Sequence, residues 1–107
     1  MSAAIDNDKK NLGNAQLRLL KVIEALSGHE VFGIRLKEVA QAVKASDPTV
    51  LRDLQTLQAA GWAMQDESGL WRLHTRLIQI ATHFAHGIDA ARRRLDEVHQ
   101  RYTRTPT

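Results

Sequence analysis

The sequence predicts a mainly α-helical fold with one small β-hairpin and a long C-terminal helix. Three observations support this class. Apolar residues recur at helical spacing in several stretches, two short apolar runs flank an acidic turn at 66–69, and a seven-residue repeat occupies 77–102. The chain has 107 residues, of which 43% are hydrophobic, so we expect one compact domain with a modest core.

The first predicted helix covers residues 11–27 and follows a tail at 1–10 that shows no periodicity. Gly28 suits the left-handed position that ends a helix, which side chains with a Cβ adopt reluctantly. Leu17 and Leu20 lie off the apolar stripe, so they either widen the core or cover a partner chain. Residues 31–35 have room for one short strand. The stripe of this helix consists of Leu12, Ala15, Leu19, Val22, Ile23 and Leu26.

Two further helices follow, joined by about three residues, the spacing of a helix-turn-helix. The first has apolar residues at i, i+3, i+4 and i+7 from Leu36. The second starts at Ser46 or Asp47, because both can cap a helix and Pro48 is accepted in a first turn. Gly61 ends it. The predicted buried positions are Leu36, Val39, Ala40 and Val43 in the first helix, and Val50, Leu54 and Leu57 with Leu51 at the flank in the second.

A β-hairpin is predicted from the runs at 62–65 and 70–73, with Gly69 in the intervening turn. A hairpin at this place corresponds to a wing, so residues 11–74 form a predicted winged helix-turn-helix domain. We expect Trp62 and Trp71 to pack the hairpin onto the helices, with base stacking as the alternative.

The C-terminal segment 75–103 is predicted to be one long dimerisation or linker helix, followed by a short tail at 104–107. Its apolar residues alternate spacings of four and three, as in the seam of a coiled coil, which favours a homodimer. Two shorter helices folded back on the domain are the alternative. Gly87 weakens the helix and marks a bend or a close crossing. The seam is Leu77, Ala81, Phe84, Ile88, Ala91, Leu95, Val98 and Tyr102, and the candidate dimer contacts are Leu17, Leu20, Phe84, Ile88, Leu95 and Val98.

The second helix of a helix-turn-helix enters the major groove of DNA with its N-terminal half. Arg52 lies opposite the predicted buried stripe of that helix. Arginine can donate two hydrogen bonds to guanine, glutamine can pair with adenine, and threonine can contact a phosphate or a thymine methyl group. The recognition-helix candidates are Pro48, Thr49, Arg52, Gln55 and Thr56. Four other basic residues are candidates for phosphate contacts, with a solvated surface charge as the alternative for each: Arg35, Lys37, Lys44 and Arg72.

The distribution of charge limits how this domain can hold DNA. The chain has a formal charge of +3, yet residues 28–74 carry five basic and six acidic side chains. The excess of positive charge lies in residues 75–107. Residues 92–94 are all arginine, and their simplest role is to keep the outer face of the helix soluble. Asp47 and Asp53 oppose phosphate binding unless one caps the helix or pairs with a neighbour such as Arg52. We therefore expect binding through a few placed contacts.

Several classes of protein are disfavoured. The absence of cysteine excludes disulfides, thiolate nucleophiles and cysteine-bound zinc. His83 and His86 are three residues apart but have no carboxylate at matching spacing for a metal. We expect no enzyme activity, cofactor, membrane segment or export signal, and a cytoplasmic location.

Taken together, the segments 19–26, 34–40, 47–57 and 61–62 resemble the DNA-binding half of IclR-type bacterial transcription regulators. That family's pattern Ser-Thr-Val-x-Arg-x-Leu-x-x-Leu is matched by Thr49, Val50, Arg52, Leu54 and Leu57. The resemblance implies that Thr49 and Arg52 face the operator. Pro48 replaces a small hydroxyl residue of the family, so one contact is expected to be missing. The family continues into an effector-binding domain, whereas this sequence ends at Thr107, so no small-molecule effector is expected.

The predicted function is sequence-specific binding of double-stranded DNA by a homodimeric transcription regulator, associated with the bacterial nucleoid. The alternative is a winged-helix adaptor or anti-repressor that binds a protein through its acidic surface and does not bind DNA.

Overall fold

The computed structural model describes residues 12–103, so Asn11 and the predicted tails at 1–10 and 104–107 lie outside the described residues. The order of elements is that of a winged helix-turn-helix followed by a long helix, which confirms the predicted fold class. The chain divides into two compact units between Thr75 and Arg76. The elements are α1 (Asn14–Leu26), α2 (Leu36–Val43), α3 (Asp47–Ala59), β1 (Ala63–Gln65), β2 (Trp71–Leu73) and α4 (Thr75–Thr103).

The core of the first unit is formed by one face of each short helix and by the hairpin. Trp71 is the largest side chain in it and is 1% exposed. Full burial of one valine, leucine or isoleucine side chain contributes about 1.5–3 kcal/mol, so the cluster makes a large favourable contribution to the stability of this unit. Its members are Val22, Leu26, Ile34, Val39, Ala40, Val50, Leu54, Leu57, Ala63 and Trp71.

Helix α1 is shorter than predicted at both ends. Leu12 precedes the helix and is 56% exposed, and Ala15 in the first turn is also exposed, so the apolar stripe was wrong at these two positions. The C-terminal half follows the prediction, with Val22 and Leu26 fully buried. Gly28 has φ +90°, the left-handed conformation expected after the helix.

The strand predicted at 31–35 is reduced to a single bridge between Ile34 and Trp71. Each residue donates its backbone N–H to the carbonyl of the other at 2.8 Å. Gly33 has φ +75°, and a Cβ at this position would lie 2.8 Å from the Cβ of Leu70. The chain therefore turns too tightly before Ile34 for a longer strand, and Val31 and Phe32 are left exposed.

Helices α2 and α3 begin and end almost where the sequence predicts. The turn between them is closed by Lys44, which has left-handed φ 58° and ψ 48°. Ser46 is the N-cap of α3, and Pro48 lies in its first turn. The predicted stripe of α3 is buried, and Leu51 is half-buried at its flank.

The wing is a two-stranded antiparallel hairpin in which Met64 faces Arg72. The Asp66 carboxylate closes the turn by accepting the backbone N–H groups of Ser68 at 2.9 Å and Leu70 at 3.0 Å. Trp71 is buried and Trp62 is half-buried against the core. Both tryptophans pack the hairpin onto the helices as predicted.

Helix α4 is continuous for 29 residues, which contradicts the alternative of two shorter helices. It passes through Gly87, where an added Cβ would meet nothing within 4 Å. None of its residues is buried. Among residues 12–103, no helix combines the length and the apolar character needed to cross a membrane.

Candidate nucleic-acid interface

The N-terminal half of α3 presents a polar surface to solvent. Pro48, Arg52, Gln55 and Thr56 are exposed, and Thr49 is half-buried. The opposite face is held in the core by the buried stripe, which fixes the rotation of the helix about its axis. The structure therefore brings all five predicted recognition residues onto one helix, with their side chains outside the core.

Thr49 takes part in the cap of this helix. The Ser46 hydroxyl accepts the backbone N–H of Thr49 at 3.4 Å and donates its own proton to Thr49 Oγ1 at 2.8 Å. This arrangement satisfies one of the free N–H groups at the helix N-terminus and ties the Thr49 hydroxyl to the cap. Thr49 keeps its own hydroxyl proton available for an external acceptor such as a phosphate oxygen.

Arg52 and Gln55 are the least constrained of the five residues. Within residues 12–103, neither side chain makes a hydrogen bond. Thr56, by contrast, donates its hydroxyl to the backbone carbonyl of Arg52 at 2.8 Å. Thr56 also borders a shallow apolar cleft that includes Leu20 and Trp62. Arg52 and Gln55 are thus free to contact base edges, whereas Thr56 lies closer to helix α1.

Asp53, next to Arg52 in the sequence, is buried and faces away from the polar surface. Its carboxylate accepts two hydrogen bonds from Arg18 on α1, at 2.6 Å from Nε and 3.0 Å from Nη2. Asp53 is thus paired with a basic residue, but that residue is Arg18 and not the neighbouring Arg52. An arginine whose planar fork meets both carboxylate oxygens fixes distance and orientation together. The Asp53 negative charge is compensated internally, and α3 is joined to α1 by this pair.

Sequence reasoning missed Arg18. Helical spacing predicts neighbours within α1 but not a partner 35 residues away, and one arginine on a polar helix face is not distinctive. The only usable signal was indirect. Asp53 is one residue after Arg52, a rotation of about 100° around the helix axis, and this places it beside the buried stripe of Val50 and Leu54. An acidic side chain at such a position needs a basic partner. The hydrogen bond that Arg18 donates to the Asp53 carboxylate raises the pKa of Arg18, with desolvation opposing it.

Asp47 is exposed in the first turn of α3 and is not the cap, which is Ser46. A carboxylate in the first turn interacts favourably with the positive end of the helix dipole. Asp47 therefore stabilises the helix while remaining a negative charge at the end of α3 that would approach DNA.

Arg72 on the wing is engaged within the protein. Its Nη2 lies 2.7 Å from Oδ2 of Asp66, and both side chains are about three-quarters buried. The backbone N–H of Leu70 and then the Arg72 guanidinium lower the pKa of Asp66. Arg72 is therefore not a solvated surface charge, and a contact between its guanidinium and a phosphate remains a prediction. The tip of the wing exposes Glu67 and Ser68.

The other predicted phosphate contacts remain accessible. Arg35 precedes α2 and is exposed, Lys37 is exposed in its first turn, and Lys44 is exposed in the turn before α3. Lys44 is the nearest of the three in sequence to the recognition helix. His83 and His86 are exposed on α4, and residues 12–103 contain no group of three metal-ligating side chains.

Comparison with protein families gives a match over this part of the chain. Residues 17–67 match the model of the IclR helix-turn-helix domain. This segment is an IclR-type helix-turn-helix domain. It runs from α1 to the turn of the wing and contains Arg18, Asp53 and all five recognition candidates. The resemblance inferred from the sequence is thereby confirmed, while the base contacts of individual residues remain predictions.

Two solved structures share the fold. The IclR family transcriptional regulator from Brucella abortus is 25% identical, with a TM-score of 0.62 over 78% of this chain and 32% of its own. The IclR transcriptional regulator from Alicyclobacillus acidocaldarius is 25% identical, with a TM-score of 0.63 over 69% and 30%. The chain spans about a third of the length of each. No curated protein matches the sequence.

Proposed function

We propose that the protein is a sequence-specific, double-stranded-DNA-binding transcription regulator that acts as a homodimer on the bacterial nucleoid. One observation carries the proposal. Helix α3 exposes Arg52 and Gln55, whose side chains make no hydrogen bond within residues 12–103, while Val50, Leu54 and Leu57 on its other face are buried. Such a helix can enter a major groove without loss of core contacts.

The chemistry of the two side chains supports base reading. Arg52 can donate two hydrogen bonds to the O6 and N7 atoms of guanine, and Gln55 can pair with adenine in the same groove. Thr49, held by Ser46, is suited to a phosphate at the helix N-terminus, where backbone N–H groups also favour an anion. Arg35, Lys37 and Lys44 supply further phosphate contacts in this proposal.

Local charge shapes the expected behaviour of the complex. Residues 28–74 carry one more acidic than basic side chain, although Asp53 is neutralised by Arg18 from outside this range. Non-specific attraction to phosphates is therefore weak, and affinity depends on correct base contacts and on two copies binding together. The acidic wing tip, where Glu67 is exposed, favours a wing that stays away from the phosphates.

Fluorescence anisotropy with duplex DNA tests the proposal. A mixed-sequence duplex at low salt should bind and should dissociate steeply as salt rises. After selection of a preferred site, Arg52→Ala should lower the preference for it by about 1–3 kcal/mol. The matched control is Gln58→Ala, an exposed residue near the C-terminal end of α3 that should leave the preference unchanged. Absence of binding at every salt concentration would reject the proposal and leave a protein-binding adaptor.

The homodimer is supported by the exposed seam of α4. Phe84 and Leu95 are 71% and 69% exposed. A row of large apolar side chains exposed along one face of a helix is typical of a surface that contacts another protein. Leu95→Asp, or truncation before Gly87, should give a monomer by sedimentation equilibrium. Gln100→Asp, on the polar face of the same helix, is the matched control and should remain dimeric. A persistent Leu95→Asp dimer would indicate the surface at Leu17 and Leu20 instead.

A further inference from the structure

The exposed seam of α4 carries information about the direction in which a partner helix runs. Ile88 and Tyr102 are 45% and 86% exposed, and no residue of the helix is buried. We propose that α4 pairs with α4 of a second copy in the antiparallel direction, about a midpoint between Asp89 and Ala90. This inference rests on the proposed homodimer and specifies its geometry.

The residues beside the seam differ sharply between the two halves of the helix. In a seven-residue repeat, the positions next to the seam face the partner and set orientation through their charges. In α4 none of these positions is acidic. They are Ile78, Ile80, Ala85 and Gly87 in the N-terminal half, and Arg92, Arg94, His99 and Arg101 in the C-terminal half.

A parallel pair would place equivalent residues at the same level along the axis. Arg92, Arg94 and Arg101 of both copies would then lie around one end of the seam, with no acidic residue among the flanking positions. In a parallel pair, Arg92 would lie opposite the partner's Gly87 and Arg94 opposite the partner's His99, so the repulsion would come from six arginines gathered at one end and not from direct arginine pairs. The parallel direction therefore concentrates positive charge at one end of the pair, which disfavours it most at low salt.

An antiparallel pair places each basic flank beside an apolar one. Ile80 then lies opposite the partner's Arg101, and Gly87 lies opposite the partner's Arg94. The methylene groups of arginine can cover an apolar side chain while the guanidinium reaches water. The same pairing joins Ile78 with the partner's His99 and Ala85 with the partner's Arg92, so no flanking position meets a like charge.

The sizes of the seam residues give a second, independent argument. In a parallel pair Ala81 and Ala91 would each face their own copies and leave gaps, whereas Phe84 would face Phe84. In the antiparallel pair the central layer joins Ile88 with the partner's Ala91. The other layers join Ala81 with the partner's Val98, Phe84 with the partner's Leu95, and Leu77 with the partner's Tyr102. No alanine then faces an alanine, and large and small side chains alternate across the seam.

The direction of the pair decides where the two winged domains attach to it. Helix α4 has 29 residues at about 1.5 Å per residue, so the two Thr75 residues of an antiparallel pair lie about 40 Å apart along the axis. A parallel pair would hold them side by side. The antiparallel direction thus attaches the two winged domains at opposite ends of the helix pair, whereas the parallel direction attaches both at one end.

Disulfide cross-linking tests the direction, because the chain has no native cysteine. Ala81→Cys and Val98→Cys are prepared separately, mixed, left to exchange subunits and oxidised. Sedimentation equilibrium on the unmodified chain first establishes whether it is a dimer. The antiparallel pair predicts a cross-linked dimer in the mixture and almost none in either variant alone, since only position 81 of one copy and position 98 of the other come within disulfide distance.

The outcomes separate the two proposals. Cross-linking of each variant with itself would overturn the antiparallel direction and leave the homodimer intact. A dimer that forms no cross-link in the mixture would also overturn it, since position 81 would then not face position 98. A monomeric chain would reject the homodimer, and the present inference with it.

A charge variant provides a measurement that does not depend on cysteine geometry. Ile80→Glu places a carboxylate opposite the partner's Arg101 in the antiparallel pair but opposite the partner's Ala85 in a parallel one. Its matched control is Ile80→Gln, which has the same size and no charge. Two such exposed ion pairs should make the Glu dimer roughly fivefold tighter than the Gln dimer at low salt, with the difference fading as salt rises. Equal dissociation constants would contradict the antiparallel pair.

Discussion

The winged domain and helix α4 both contain regular rows of apolar side chains but place them differently. The domain buries ten hydrophobic residues among its own elements, including Trp71 at 1% exposure. Helix α4 buries none of its residues, although its seam is as regular as any stripe in the domain. A regular apolar pattern therefore indicates that a helix face packs against another surface. It does not identify the element that supplies that surface. In the domain the cover is intramolecular, and in α4 we propose that it is a second copy.

The largest expected effect is the response of α4 to dilution. Below the dissociation constant of the dimer, its uncovered seam no longer stabilises it, and an isolated helix of this length is only partly helical in water. Helical circular dichroism should fall as the protein is diluted. Trp62 and Trp71 are the only tryptophans and both lie in the winged domain, so tryptophan fluorescence should remain constant. A simultaneous loss of the circular dichroism and fluorescence signals would show that the two units do not unfold independently.

The next effect concerns the pair that joins α1 to the recognition helix. Arg18→Met should destabilise the winged domain by about 2–3 kcal/mol in urea unfolding, because Asp53 would be left buried without its partner. The double variant Arg18→Met with Asp53→Leu should recover much of the loss. The dimer dissociation constant should not change in either variant. If Arg18→Met has the same unfolding free energy as the unmodified chain, Asp53 has found another partner or become solvated.

A smaller effect is expected at the cap of α3. Ser46→Ala removes the acceptor for the Thr49 N–H and the hydroxyl that holds Thr49 Oγ1, and should cost about 0.5–1 kcal/mol of unfolding free energy. Ser46→Asp keeps an acceptor and should retain most of the stability. If Thr49 is a phosphate ligand, Ser46→Ala should also weaken DNA binding more than its effect on stability explains. DNA affinity under conditions where both variants are folded decides this point.

The smallest effect is a pH dependence of the wing. Hydrogen bonds from the Leu70 N–H and from Arg72 lower the pKa of Asp66 below its usual value of 3.8. The ionised form is therefore the one that stabilises the fold, and its contribution is present above the unfolded-state pKa and is lost as the pH falls through the folded-state pKa. Acid unfolding followed by tryptophan fluorescence should show a smaller pH dependence below pH 4 for Asp66→Asn. If Asp66→Asn leaves the acid transition unchanged, carboxylates other than Asp66 are responsible for that transition.

Much of the recognition helix could be predicted because its signals are local. Ser46, Pro48 and Gly61 delimit α3 through backbone chemistry, and the spacing of its apolar residues identifies the buried face and hence the exposed one. The neighbours of charged groups could not be predicted in this way. Arg18 and Asp53 are 35 residues apart, and Arg72 and Asp66 meet only because the hairpin folds back on itself.

The sequence by itself determined the order of the helices and the hairpin, the two faces of α3 and the relation to IclR-type helix-turn-helix domains, because caps, glycine conformations and helical periods act over a few residues. Only the tertiary structure decided that residues 31–35 form a single bridge, that Asp53 is buried against Arg18, and that Arg72 is held by Asp66. The reason is that burial and pairing depend on which surfaces meet. That choice is made by packing between segments far apart in the chain, and for the seam of α4 by packing between two chains in the dimer that we propose.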